Sequence, residues 1–400
     1  MRVHQVVNSA AGPHMGGAER MARTLHRGIL AAGGESRLIA LSGPAPDCPH
    51  AISLFPENPS KSPYGGGVLM ALRRHLRRTV RPGDVVHGHL FPTLFYLAAL
   101  RRMGALAAPH WTGALTAPCR MGALATPLVY TEHNTQNRRR TLLGGRTLDA
   151  ALYGAVDGVV AISEGVRDAL LAWCPSLAGR THVIANGVPL PPPAPDRCGP
   201  VRHVVSVGHL TPQKNYGAAI EAMAAVMAQN PLAHTIHYTI AGEGSERERL
   251  ARLIAQKGLQ SRIRLLGAVS DPAPLYGAAD VFFMPSLFEG FGLAAVEAMA
   301  AGLPVISADV PGLREVVPDG AGIRTAPHAA AMAEALTQMV ALPAGTRIAM
   351  GKVGAAQAAR FGEDAMICAH RRLYGRFHKA ALAARRSSPQ QPSETALGDL

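Results

Sequence analysis

Four hundred residues, 48% hydrophobic and 17% charged, make a globular chain long enough for two domains and exclude wholesale disorder. Five scattered cysteines without a C-x-x-C pair exclude a disulfide framework and a zinc ribbon, and they fit a reducing compartment. The net charge of +13 lies mostly in the first half of the chain; it suits an anionic partner, or else reflects an arginine-rich composition that serves solubility.

The chain opens on a β-branched run, Arg2 to Val7, without the apolar core and cleavage site of a signal peptide. Strands are expected at 3–7, 37–40, 85–87, 128–130, 158–162 and 181–184, with helical patterns between them at 19–32, 68–80, 148–155 and 164–173. The most apolar stretch, Leu90 to Leu100, contains Pro92 and falls far short of the ~20 residues of a membrane span. Within 68–80, Leu69, Leu72, Leu76 and Val80 share the apolar side of a helical pattern made basic by Arg73, Arg74, Arg77 and Arg78. Such a helix is either an ordinary surface helix or one that lies on an anionic membrane. GALAAP at 104–109, GALTAP at 113–118 and GALATP at 122–127 form a short tandem repeat. It reads as a duplication lengthening a surface loop, or as a loop over an acceptor site.

A proline-rich connector occupies 189–200. Beyond it the alternation restarts, with strands expected at 204–207, 237–241, 263–266, 281–284 and 304–307. A helical pattern at 361–384 carries Met366, Leu373 and Phe377 on one side, and 385–400 reads as a disordered tail. The expected organisation is therefore an α/β domain at 1–188, the linker at 189–200, a second α/β domain at 201–360, a helix at 361–384 and the tail. Two doubly wound domains of this kind face a cleft and bind ligands beyond the carboxyl ends of their strands.

The chemistry concentrates between Glu289 and Glu297. A buried strand leads into Glu289-Gly290-Phe291-Gly292-Leu293, and a helix opens near Gly292. Its glycines allow close backbone approach, and the helix start offers amides to phosphate. Eight helical residues span ~12 Å, about the distance between the two hydroxylated ends of a nucleotide sugar. Two carboxylates flanking an anion site make sense as hydroxyl acceptors. A lone pair of glutamates at this spacing would be read as a dipole partner and a solvated face, but Glu297 stands in an apolar run.

From Glu297 the chain continues Ala298-Met299-Ala300-Ala301-Gly302-Leu303-Pro304-Val305, then Gly312-Leu313-Arg314-Glu315-Val316-Val317. This resembles the E-x7-E signature and EAMAxGxPV continuation of the retaining glycosyltransferases of family 4 (glycosyl transferases group 1). The resemblance implies a GT-B fold with two Rossmann-like domains and a C-terminal helix crossing back to the first. It also implies that Glu289 contacts donor-sugar hydroxyls, that Glu297 contacts the ribose, and that Gly290, Phe291, Gly292 and Leu293 belong to the donor site.

Lys214, in Ser206-Val207-Gly208-His209-Leu210-Thr211-Pro212-Gln213-Lys214-Asn215, sits near a helix start, where the dipole disfavours a cation. An anion resolves that conflict, so Lys214 is expected to pair with the donor pyrophosphate. The family commonly has G-R-L-x-x-x-K here. This chain departs with His209, which lacks the permanent charge and bidentate fork of arginine. Gly16 and Gly17, after the first strand, resemble the family's glycine-rich loop near the phosphates. His133, in Val129-Tyr130-Thr131-Glu132-His133-Asn134, resembles its active-site histidine. Asn186-Gly187-Val188, Gly242-Glu243-Gly244 and Arg264-Leu265-Leu266-Gly267 resemble further turns of the same fold. His87 and His89 lack a third ligand and are read as packing or acceptor-side residues.

No D-x-D occurs, so no metal and no other cofactor is expected. Lys214, helix-start amides and His209 are left to stabilise the leaving charge. The function expected is transfer of a sugar, of hexosyl type, from a UDP- or GDP-sugar to a glycan or lipid-linked acceptor with retention, in polysaccharide or glycolipid assembly. The expected location is the cytoplasm, or the inner face of the membrane as a peripheral protein. Two rivals remain. A nucleotide-sugar epimerase would make product from donor alone, and a non-catalytic binder would make none. Nucleic acid is not expected as a partner, with aromatics at 5%.

Overall fold

Short Val- and Ile-rich runs with continuous burial make parallel strands, and the amphipathic segments between them make the crossover helices. The computed structural model describes residues 1–9, 16–44, 47–56, 65–104, 106, 126–135, 138–191, 196–229 and 235–386. In chain order the first elements are β1 (Arg2–Val7), α1 (Gly17–Ala31), β2 (Glu35–Ala40), β3 (Ala51–Ser53), α2 (Gly66–Thr79), β4 (Val85–His89), α3 (Thr93–Arg102), β5 (Leu128–Glu132), α4 (Gly145–Gly154), β6 (Gly158–Ala161), α5 (Glu164–Trp173) and β7 (Thr181–Val183). They build a sheet of order β3-β2-β1-β4-β5-β6-β7.

After the connector come β8 (His203–Val207), α6 (Tyr216–Gln229), β9 (His237–Ala241), α7 (Arg247–Gln256), β10 (Ile263–Gly267), α8 (Ala273–Ala278), β11 (Val281–Met284), α9 (Leu293–Ala300), β12 (Val305–Ala308), α10 (Pro311–Val316), β13 (Gly322–Thr325), α11 (Ala329–Ala341), α12 (Ala344–Ala358) and α13 (Glu363–Arg386). The second sheet has the order β10-β9-β8-β11-β12-β13.

The chain divides into two compact units, Met1–Thr131 with Thr147–Val159 and Cys368–Leu400, and Glu132–Arg146 with Val160–Ile367. In the first, β1 pairs in parallel with β2 on one side and β4 on the other. The second half of α13 belongs to this unit: the Tyr374 hydroxyl lies 2.6 Å from His87 Nδ1 and accepts from Gln5 Nε2 at 3.3 Å. Phe377 packs on Gly158, where a β-carbon would lie 2.4 Å from its ring. His87 and His89 thus serve packing, with His87 Nε2 on Thr131 and His89 Nε2 on Gln5, both at 2.7 Å. The apolar stripe of α2 is spent on the core. Leu72, Leu76 and the following Val80 are buried as expected, Val68 is buried where Leu69 was expected and Leu69 is half-buried, while Arg74, Arg77 and Arg78 face outward and Arg73 is half-buried.

In the second unit β8 pairs in parallel with β9 and β11, and apolar clusters cover both faces of the sheet. The chain leaves β8 toward β9 and leaves β11 toward β12, in opposite directions. That reversal makes β8/β11 the topological switch point, where the loops diverge and open a crevice.

Two strands lie outside the sequence-based expectation. β3 is only three residues long and half-exposed, and β13 opens on a glycine, so neither has a recognisable β pattern. The repeats lie almost wholly outside the described residues, as do 192–195 of the connector and the tail from 387. After 196 the connector is fixed to its own unit: Arg347 donates to the Gly199 carbonyl, and Lys352 lies 3.3 Å from Asp196. Among the described residues no helix is long and apolar enough to cross a membrane.

Candidate active site

The site forms where β8 and β11 end. Ser206, buried on β8, donates to the Phe283 carbonyl at 2.5 Å and meets the Tyr238 hydroxyl at 2.7 Å, joining three adjacent strands. Beyond β8, Gly208 has φ +157°, and the position suits glycine because a β-carbon there would strike the Tyr216 hydroxyl at 2.9 Å and Lys214 Cε at 3.3 Å. Burial first, then Tyr238 and Glu289, hold the Tyr216 phenol well above its usual range, so it remains a neutral hydroxyl. Residues Pro212–Lys214 form one 3-10 turn, which Asn215 ends in the left-handed region at φ 55°. Asn215 Nδ2 then donates to the Pro285 and Pro327 carbonyls at 3.1 and 3.0 Å. Lys214 is thereby held at the entry to α6, as its sequence position implied.

The loop after β11 is tied to the same turn. Gln213 Nε2 donates to the Phe288 carbonyl, and the Leu287 amide donates to the Gln213 carbonyl, both at 2.8 Å. Lys214 Nζ then reaches Glu289 Oε1 at 2.5 Å, with side chains 17% and 8% exposed. The anion that answers Lys214 in this structure is therefore the Glu289 carboxylate, which the motif reading assigned to another part of the donor.

Backbone packing fixes Glu289 from behind. A β-carbon on Gly290 would lie 2.1 Å from the His133 carbonyl oxygen, and one on Gly312 would lie 2.5 Å from that of Glu289. Ser163 Oγ donates to the Gly290 carbonyl at 2.7 Å, and Thr135 Oγ1 to that of Glu289 at 3.4 Å. His133 itself is buried, with its main chain against Gly290. The Phe291 ring belongs to the core, edge-on to Phe361 with centroids 5.2 Å apart, so only its backbone is left to a ligand. Gly292 caps α9 at φ 92°, and Leu293 and Ala294 begin the helix half-exposed. The first-turn amides of a helix lack intrahelical acceptors and suit an anion.

Glu297, one turn into α9, is 9% exposed, and its Oε2 accepts from the Tyr276 hydroxyl at 2.9 Å. Beside this end of the sheet run Gly242-Glu243-Gly244 and Gly267. Gly242 donates to the Gly267 carbonyl at 2.8 Å, and a β-carbon on it would lie 1.9 Å from the Gly208 carbonyl. His209 is exposed. In the first unit, Gly16 caps α1 and Gly17 begins it, and the Gly16 amide donates to Glu19 Oε2 at 3.2 Å. That helix start is partly answered by its own carboxylate, whose pKa burial raises against the opposing pull of two backbone amides.

The structure therefore gathers Lys214, Glu289, Gly290, Gly292, Leu293 and the His133 backbone at one place. The outward arginines of α2 belong to the other unit. Ser163, Thr135 and Tyr276 carry no sequence signal because they lie outside any motif, and Gln213 carries none because it fills an unspecified position of one; each matters through hydrogen bonds that only the fold creates. Among the described residues no three His, Cys, Asp or Glu side chains gather as a metal site.

Residues 199–357 match the family model described as Glycosyl transferases group 1, and residues 15–190 match that described as Glycosyltransferase Family 4. A D-inositol 3-phosphate glycosyltransferase of Streptomyces bingchenggensis is 30% identical over 340 residues, 77% of this chain and 69% of that protein. An uncharacterized glycosyltransferase of Methanocaldococcus jannaschii is 39% identical over 116 residues, 28% of this chain and 29% of that protein. Among solved structures, a sucrose-phosphate synthase of Thermosynechococcus elongatus superposes with TM-score 0.76 at 22% identity, covering 95% of this chain and 100% of the other. Anabaena HepE in complex with UDP-glucose gives 0.69 at 17% identity, covering 96% and 100%. At these identities the superpositions show the fold.

Proposed function

The chain belongs to the glycosyl transferases of group 1 and family 4, with their GT-B fold of two Rossmann-like domains, and from that premise we propose that it moves a sugar from a nucleoside diphosphate sugar to a glycan or lipid-linked acceptor, retaining the anomeric configuration. One observation carries the reading: Lys214, Glu289 and the start of α9 converge at the β8/β11 switch point. An ammonium and helix-start amides serve a diphosphate, and two nearly buried carboxylates, Glu289 and Glu297, serve the hydroxyls of sugar and ribose.

The leaving diphosphate gathers negative charge as the glycosidic bond breaks. Lys214, the α9 amides and His209 answer that charge without a metal ion. His133 supplies a hydrogen bond near the departing oxygen. Retention then follows from attack on the face that the diphosphate leaves. UDP is the favoured nucleotide, by likeness to HepE, whose structure holds UDP-glucose; GDP is the alternative.

For the acceptor, the net charge of +13 favours an anionic molecule. The D-inositol 3-phosphate glycosyltransferases among the relatives add a phosphorylated cyclitol to the glycan and lipid-linked candidates. Assembly of polysaccharide or glycolipid would place the protein in the cytoplasm, at the inner membrane face. Because α2 buries its apolar stripe, membrane association would rest on Arg74, Arg77 and Arg78 and weaken with salt. Flotation with anionic vesicles at two salt concentrations tests that part.

Release of nucleoside diphosphate from UDP- and GDP-sugars, with and without an acceptor panel, tests the whole. Acceptor-dependent release with a new glycosidic bond is expected. Conversion of donor alone would favour an epimerase, and binding without turnover a carrier.

A further inference from the structure

Tyr276 stands outside every motif, yet it makes a buried hydrogen bond to Glu297. Its hydroxyl donates to Glu297 Oε2 at 2.9 Å, with Tyr276 2% and Glu297 9% exposed. The ring is itself immobilised, edge-on to Phe282 of β11 with centroids 5.8 Å apart at 74°. The chain runs on from β11 through a short loop to Glu289, so Tyr276 and Glu289 are both tied to this strand, one by ring packing and one along the chain.

A carboxylate has about four acceptor directions, and a hydrogen bond at one oxygen fixes the plane of the rest. A carboxylate so oriented can chelate a vicinal diol, whereas a rotating one cannot do so without an entropic cost. Resting on the donor reading above, we propose that Tyr276 is a positioning residue that turns Glu297 toward the ribose diol and makes the site select ribonucleotides over 2′-deoxyribonucleotides. A site built to hydrogen-bond a hydroxyl rejects the analogue that lacks it, because the buried acceptor is then left without that partner.

The test compares wild type, Tyr276→Phe and Glu297→Gln for binding of UDP and 2′-deoxy-UDP, or of GDP and its deoxy counterpart if GDP binds more tightly. Each variant is read as a ratio of two affinities, so any general loss of stability cancels. Wild type should prefer the ribonucleotide on the order of tenfold, the worth of one hydrogen bond to a charged group. Tyr276→Phe should lose most of that preference by weakening the ribonucleotide alone, and it should raise donor KM more than it lowers kcat. Glu297→Gln should lose the preference as well.

If Tyr276→Phe keeps the full ratio while Glu297→Gln loses it, Tyr276 is only a core residue and the inference fails with the donor site intact. If wild type shows no preference, or Glu297→Gln retains it, Glu297 does not hold the ribose and the inference fails with it. Binding of neither nucleotide would overturn the donor reading itself.

Discussion

Lys214 Nζ lies 2.5 Å from Glu289 Oε1, with both groups largely withdrawn from solvent, so each is the other's counter-ion. A donor diphosphate must compete with Glu289 for that ammonium, and a sugar hydroxyl must then satisfy the carboxylate it displaces. The pair thereby links recognition of the two halves of the donor. Glu289→Gln should abolish transfer with the fold intact, yet bind free nucleoside diphosphate about tenfold more tightly, a charged hydrogen bond being worth roughly 1.5–3 kcal/mol. Lys214→Ala should weaken the same ligand by a similar factor. Calorimetric titration of both variants decides the matter, and unchanged affinity in Glu289→Gln would show that the diphosphate does not meet this pair.

Ser163 Oγ has two duties, donating to the Gly290 carbonyl at 2.7 Å and accepting from the Val166 amide at 3.1 Å as the cap of α5. Ser163→Ala should cost about 1 kcal/mol as a lost cap. It should also lower kcat on the order of tenfold, since small misplacements at a reacting centre are costly. Ser163→Thr should recover both. The comparison is kcat on fully folded protein against Tm: a variant that is less stable but fully active would leave Ser163 as a cap and nothing more.

Gly290 has no room for a side chain, because its β-carbon would meet main chain at 2.1 Å. Gly290→Ala must shift either the Glu289 loop or the His133 segment. An overpacking cost of about 1–3 kcal/mol and loss of transfer are expected. Gly345→Ala, with nothing within 4 Å, is the matched control and should be neutral or slightly stabilising. Thermal melts and product formation on the two variants test this together. Full activity in Gly290→Ala would mean the loop tolerates displacement.

The parallel strands and the motif loops were legible because each is written locally. Val281–Met284 is a continuous apolar run, and Glu289 and Glu297 stand in a patterned segment with glycines where the backbone bends. What the sequence hid was partnership across distance. Lys214 and Glu289 are 75 residues apart, and their mutual pairing depends on β8 and β11 being neighbours, which strand order alone decides. Tyr276 and Ser163 look like ordinary core and cap residues until the fold brings them to Glu297 and Gly290. The α2 stripe shows the converse, since a pattern that fits a membrane fits a sheet face equally well, and only packing distinguishes them.

His209 stands exposed beside the Lys214 turn, where the family's arginine would carry a fixed charge and two parallel donors. His209→Arg should therefore tighten donor binding several-fold, through the added bidentate fork and permanent charge. Calorimetric titration of both proteins with nucleoside diphosphate checks this. Equal affinities would remove position 209 from the phosphate site.

Asp84 provides a test in the first unit. Its Oδ1 accepts from the Arg2 amide and its Oδ2 from the Arg81 amide, both at 2.9 Å, while His4 Nε2 lies 3.3 Å away. Burial pushes the carboxyl up, but His4 and the two amides outweigh it, and the net shift is downward. A carboxyl held lower in the folded state contributes stability above its unfolded value, near ~3.9, and loses it as pH falls through the folded value. Asp84→Asn should cost about 1–2 kcal/mol at pH 7, through weakened hydrogen bonds to a charged acceptor. That deficit should shrink as pH falls below the unfolded value, where the unfolded chain takes up the proton first, and on through the lower folded value. Urea midpoints at pH 7 and pH 3.5 measure it, and a deficit of equal size at both would place the effect in packing instead. Asp84 joins the amino ends of β1 and β4, opposite the carboxyl ends where ligands bind, so transfer per folded molecule at pH 7 should remain at the wild-type rate.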